Sequence, residues 1–256
     1  MSRITDAFKD KRVFIPFITG GDPDIETTEK LVRVLAKAGA GVIEIGIPFS
    51  DPVAEGEVIQ AADERALKAG CTVDKLFSMV TRLREDVTTP LLFMTYYNAI
   101  FGYGTERFIE KCVQCGIDGL IVPDLPFEEM GELLAPAHEG GIEVISLIAP
   151  TSDERIDTIA RQSEGFLYCV SSLGVTGVRG QLGGLAKHMV ERAKRVTATP
   201  CAVGFGVSNA EQAAEIAKFA DGVIVGSAIV RLVAEYKTAS EQPVFDFAKG
   251  IVEAIS

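Results

Sequence analysis

The sequence predicts a single-domain α/β protein, a (β/α)8 TIM barrel with an extra N-terminal helix, and three observations point there. Eight short β-rich runs recur along the chain, each followed by a segment of helical pattern. Several helix ends pass into the next strand in one form, with glycine at the join and an apolar run behind it. Examples are Ala38-Gly39-Ala40-Gly41-Val42-Ile43, Cys115-Gly116-Ile117-Asp118-Gly119-Leu120-Ile121 and Phe219-Ala220-Asp221-Gly222-Val223-Ile224. The length of 256 residues suits one barrel domain over 1–256, with no linker or composition shift to divide it. A doubly wound open sheet is the alternative. It would carry a Gly-rich turn after its first strand, and Thr19-Gly20-Gly21-Asp22-Pro23 lacks that spacing.

In chain order, residues 3–11 read as the extra helix, placed to cover the bottom of the barrel. Strand one is 13–18. Behind it, Leu31, Leu35 and Ala38 share one face of a helix at helical spacing. Strand two is 42–46, followed by a long loop, 47–57. Strands three to six are 91–95, 119–122, 143–148 and 166–170. A second long loop, 171–184, carries glycines at 174, 177, 180, 183 and 184 and suits a lid. Strands seven and eight are 201–203 and 222–225. Capping boxes at Thr151-x-x-Glu154 and Ser208-x-x-Glu211 mark two helix starts.

Composition narrows the function. Lys+Arg number 25 against 36 Asp+Glu, a net charge of −11, which disfavours nucleic acid and anionic membranes as partners. The longest apolar stretch, 222–230, ends at Arg231, short of the about 18 residues of a membrane span. The N-terminus alternates polar and apolar residues, unlike a secretory signal. Five scattered cysteines, an odd number, suit a reducing cytoplasm. Cys112-Val113-Gln114-Cys115 lies inside a helical pattern with no second pair and reads as core. His138 and His188 also sit in helices, so no cluster has metal-ligand spacing and metal-free chemistry is expected.

In such a barrel, function belongs to the loops at the strand C-termini. Gly204-Phe205-Gly206-Val207-Ser208 follows strand seven, and Gly226-Ser227-Ala228 follows strand eight and opens a helix. Glycines let backbone N–H groups approach an oxyanion, and a helix N-terminus adds a favourable dipole, so a phosphorylated substrate is expected. In Val42-Ile43-Glu44-Ile45-Gly46, alternation sets Glu44 opposite the isoleucines. If those meet the helices, Glu44 points into the barrel near its mouth. A carboxyl among apolar walls has a raised pKa and can carry a proton near neutral pH.

At these residues the chain resembles the tryptophan synthase α subunit family. The resemblance rests on Glu44-Ile45-Gly46-Ile47-Pro48-Phe49-Ser50-Asp51-Pro52 with Gly56, Ile59 and Gln60, and on Pro16-Phe17-Ile18-Thr19-Gly20-Gly21-Asp22-Pro23. Tyr96-Tyr97-Asn98, Tyr168 with Gly174-Val175-Thr176-Gly177, Gly204-Phe205-Gly206-Val207-Ser208 and Gly226-Ser227-Ala228-Ile229-Val230 extend it along nearly the whole chain. It implies a retro-aldol lyase that splits indole-3-glycerol phosphate into indole and glyceraldehyde-3-phosphate. Glu44 is then the proton carrier at indole C3. A second carboxylate in the loop after strand two binds the indole N–H, and Tyr168 lies beside this catalytic pair. Phosphate or substrate would meet Thr176, Gly177, Gly204, Gly206, Gly226 and Ser227, and the indole would meet Phe17 and Met94. The resemblance also implies a pyridoxal-phosphate (PLP)-dependent β subunit as partner in an αββα complex, with no cofactor in this chain. Asp51, Pro52 and Asn98 match contact positions, with a further loop at Pro123-Asp124-Leu125-Pro126.

One departure matters. Where the family pattern reads Ala-Asp-Gly-Pro, this chain reads Ala54-Glu55-Gly56-Glu57. The carboxylate survives, but one extra methylene moves it by about 1 Å, and a misplacement of that size can cost roughly a hundredfold in rate. Loss of the proline should loosen the loop. Two readings follow: an active lyase working through Glu44 and Glu55, or a weakly active or inactive α-type subunit that binds phosphate ligand and activates its β partner.

Overall fold

Each residue of the first strand, β1 (Val13–Thr19), is buried, as expected of a strand covered on both faces. The computed structural model describes residues 2–9, 11–170, 179–204 and 206–256, with residues 179–183 described by their backbone alone. After β1 come β2 (Ile43–Gly46), β3 (Leu91–Met94), β4 (Gly119–Ile121), β5 (Glu143–Val144), β6 (Leu147–Ile148), β7 (Leu167–Val170), β8 (Cys201–Gly204) and β9 (Gly222–Val225). All ladders are parallel, in the order β5-β4-β3-β2-β1-β9-β8-β7-β6.

The two ends of that order, β5 and β6, are halves of the fifth strand expected at 143–148. Only Ile145 and Ser146 lie between them. Ile145 N–H donates to Leu120 O at 2.8 Å, and Tyr168 N–H donates to Ser146 O at 2.9 Å. The first half therefore pairs with β4 and the second with β7, which closes eight strands into a barrel. The expected single strand is divided because it must turn from one neighbour to the other at the closing seam.

Period-two alternation sorts side chains into two layers. Ile43 and Ile45 pack outward with Leu31, Leu35, Leu76 and Val80 of the helices. Val13, Ile15, Val42, Leu92, Ile121, Ile145, Phe166 and Ile224 fill the interior. The helix Ile25–Ala38 buries Leu31, Leu35 and Ala38, starts on the Asp24 carboxylate and ends at Gly39 with φ 106°. The N-terminal helix, Arg3–Ala7, is shorter than the expected 3–11. Its Ile4 is 0% exposed among the interior residues, and the Phe8 ring lies 5.6 Å from that of Phe166, so the segment plugs the barrel bottom.

Both expected capping boxes are replaced by other caps. The helix Ala210–Ala217 starts on Asn209, whose side chain accepts from Gln212 N–H, while Ser208 N–H binds the Gln212 side chain. Pro150 opens a 3₁₀ turn, Pro150–Arg155, in which Ala149 N–H donates to Ser152 Oγ at 3.2 Å. All five cysteines are buried free thiols, and burial pushes Cys115 up to about 11 and Cys112 well up, so the CxxC is protonated core. Among the described residues, no helix is long and apolar enough to cross a membrane and no acid, His or Cys group is arranged to hold a metal.

Candidate active site

Because all strands are parallel, their C-terminal ends form one mouth. Glu44 lies inside it, between Phe17 of β1 and Leu92 of β3 in the ladder register. It is 0% exposed, and neither carboxyl oxygen meets a hydrogen-bond donor among the described residues. Burial with no compensating donor pushes its pKa well above the usual carboxylate range, which favours the protonated acid.

Tyr168 reaches the same space from β7. Burial, and the proximity of Glu44, raise its hydroxyl well above the usual phenol value. Two glycines make room for the rings around Glu44. A Cβ on Gly204 would stand 2.8 Å from Tyr168 Oη, and one on Gly46 only 2.6 Å from Phe17 Cζ. Phe17 also packs against Gly226, so its ring spans the distance from the Glu44 strand to the end of β9. Phe17, Ile59 and Val230 form a small apolar cluster with Val58 and Met94 against it, a wall suited to a flat aromatic ligand.

Across the mouth, β8 and β9 are neighbours and end at Gly204 and Val225. Gly206 turns with φ 83°, a left-handed conformation that glycine adopts without strain. Gly226 caps the helix Ser227–Tyr236, whose first backbone bonds start at Ile229 and Val230. The N–H groups of its first turn are therefore available to an anion beside the exposed Ser227. Gly204, Gly206, Gly226 and Ser227 thus share one rim. Thr176 and Gly177 lie outside the described residues.

Glu55 sits near the end of the loop before the helix Glu57–Lys68. Tyr96 organises the loop: its hydroxyl accepts from Ala54 N–H at 3.0 Å, and its ring lies 5.2 Å from Phe49. Gln60 Nε2 donates to Glu55 O at 2.8 Å. Glu57, which replaces the family proline, takes the first helical position after the Gly56 N-cap, where its charge favours the positive end of the helix.

The Glu55 carboxyl meets a group that the sequence reading missed. Asp63 is 4% exposed, on the buried face that also carries Ile59, Ala62 and Ala66. Burial and the neighbouring Glu55 push Asp63 up to about 9. Burial raises Glu55 too, opposed by the neighbouring Asp63 and Tyr96. The signal was in the sequence: positions 59, 62, 63 and 66 follow helical spacing, and an acid on that apolar face asks for a partner.

Asp51, Pro52 and Asn98 lie around the outside of the mouth. Asp51 is exposed and accepts from Ser50 Oγ at 2.5 Å, Pro52 is half-buried, and Asn98 is exposed on the helix Tyr97–Tyr103. Asp124, in the next loop, accepts from Tyr97 N–H. Val53 is 81% exposed and Phe101 66%, an uncovered apolar rim beside these positions.

Comparison with known proteins gives a consistent answer. Residues 5–253 match the family model described as tryptophan synthase alpha chain. The tryptophan synthase alpha chain of Lacticaseibacillus casei is 47% identical over 255 residues, covering 100% of this chain and 96% of its own. The crystal structure of tryptophan synthase subunit alpha from Legionella pneumophila superposes with a TM-score of 0.91 at 37% identity, covering 100% of this chain and 98% of that one. A chain of the tryptophan synthase α2β2 complex from Pyrococcus furiosus gives 0.88 at 38% identity, covering 95% and 99%.

Proposed function

The chain belongs to the tryptophan synthase alpha chain family, and on that premise we propose how its own residues divide the reaction. As a member it is a lyase of tryptophan biosynthesis, cleaving indole-3-glycerol phosphate to indole and glyceraldehyde-3-phosphate beside a β subunit that receives the indole. Glu44 delivers its proton to indole C3. The C3–glycerol bond then breaks as its electrons return to the ring, and the side-chain hydroxyl loses its proton to become the aldehyde. The Glu44 carboxylate left behind is the base placed to take that proton, which restores the acid for the next cycle.

Positive charge on the ring during this step is largest near the indole N–H, where Glu55 accepts a hydrogen bond. Tyr168 flanks Glu44, while Phe17 and Met94 hold the ring. Gly204, Gly206, Gly226 and Ser227 take the phosphate, joined by Thr176 and Gly177. The barrel acts as one domain over 1–256. Asp51, Pro52 and Asn98 face the β subunit, where PLP resides, and the protein works in the cytoplasm.

The observation that carries this reading is a buried Glu44, without a hydrogen-bond partner among the described residues, at the same mouth as the β8–β9 rim. The test is indole release from indole-3-glycerol phosphate, with and without the β subunit. Release in both conditions, faster with β, is the expected result. No release in either, with phosphate-ligand binding and β activation intact, would instead establish a regulatory subunit.

A further inference from the structure

We propose that Asp63 is a positioning residue for the known reaction: it shares one proton with Glu55 and so fixes where the longer side chain places its carboxylate. The proposal rests on Glu55 being the second working carboxylate. Its basis is geometric. Asp63 is the single acid on the buried face of the helix Glu57–Lys68, the helix starts two residues after Glu55, and the two carboxyls interact. Glu55 Oε2 and Asp63 Oδ2 are both buried, and neither meets a proton donor among the described residues. Two ionised carboxylates in contact there would repel, whereas one proton between them makes a short, charge-assisted hydrogen bond.

The surrounding groups place that proton. Asp63 faces Glu55 from the loop, Phe49 N–H from the same loop, Tyr96 from the end of β3 and Asp22 from the loop after β1. Asp22 is itself held by Arg65, whose Nε and Nη2 bind its two oxygens at 2.8 and 2.7 Å. The nearby Phe49 N–H favours an Asp63 anion, but burial, Glu55 and Asp22 oppose it, and they prevail. Tyr96, beside Glu55, favours charge there. One proton on the pair leaves a single negative charge, which Glu55 presents to an indole N–H. An aspartate at 55 would be shorter; the glutamate is long, and Asp63 takes up the extra reach.

The experiment is the pH profile of kcat for indole release between pH 6 and 10, with the β subunit present. It compares the parent with Asp63→Asn, Asp63→Ala and Glu55→Gln, and retained binding of glyceraldehyde-3-phosphate shows that each variant is folded. In the parent, kcat falls as pH rises through about 9, because removal of the shared proton sets two anions against each other. Asp63→Asn supplies an N–H that does not titrate. It should keep neutral-pH kcat within about threefold and lose the alkaline fall, while Asp63→Ala should lose at least about tenfold in kcat with KM little changed. An unchanged alkaline fall in Asp63→Asn, or parent-like kcat in Asp63→Ala, overturns the role of Asp63 alone. Full activity in Glu55→Gln removes Glu55 from the reaction and the proposal with it.

Discussion

An ionised carboxylate buried without a donor costs far more than a neutral one, so the fold selects the protonated form of Glu44. The sign for stability follows from linkage. The folded pKa lies above the unfolded one, so the favourable contribution is complete below the unfolded pKa and is lost as pH rises toward the folded value. Each pH unit in that window costs about 1.4 kcal/mol. Glu44→Gln removes the titration, so the melting temperature of the variant should gain on the parent as pH rises above the ordinary carboxylate range, read by thermal denaturation from pH 5.5 to 7.5. A constant difference across that range would mean that Glu44 is already ionised in the folded protein. The direction of Glu44 was legible because Val42, Glu44 and Gly46 alternate with two isoleucines. Asp63 was legible only from a helix whose start was known, and the loop before it hid that start.

The proposed anion grip belongs to individual elements. The helix Ser227–Tyr236 follows β9 with only Gly226 between them, so its first-turn N–H groups open toward the mouth. A hydrogen bond to a charged group is worth about 1.5–3 kcal/mol. Ser227→Ala should therefore weaken glyceraldehyde-3-phosphate binding about tenfold or more and raise KM with kcat little changed, measured by titration and steady-state kinetics. Unchanged affinity would move the phosphate elsewhere. Glycines at 204, 206 and 226 announced this rim in the sequence, but their other task did not show. Gly46 and Gly204 clear space for Phe17 and Tyr168, and that requirement exists only once distant strands meet. The divided fifth strand was hidden for the same reason: its two halves obey different neighbours, β4 and β7.

Across the whole molecule, closure of the barrel joins residues that are far apart in the chain. Glu44 on β2 and the rim at Gly206 and Ser227 share one mouth, with β1 standing between β2 and β9. A net charge of −11 gives an anionic substrate no general attraction, so the local N–H groups must capture it. The barrel itself was legible because eight strand–helix units each carry their own periodicity and glycine stop. The expected contact positions were not legible from periodicity, since Asp51 and Pro52 come from the loop after β2 and Asn98 from a short helix after β3, and each reads as ordinary solvated surface. The central claim is that one interior acid acts on a ligand anchored at the opposite rim. Its most direct test is indole formation by Glu44→Gln, with glyceraldehyde-3-phosphate affinity measured on the same sample. The expected result is a kcat about 10²–10⁴-fold lower with affinity unchanged; near-parent turnover would contradict it.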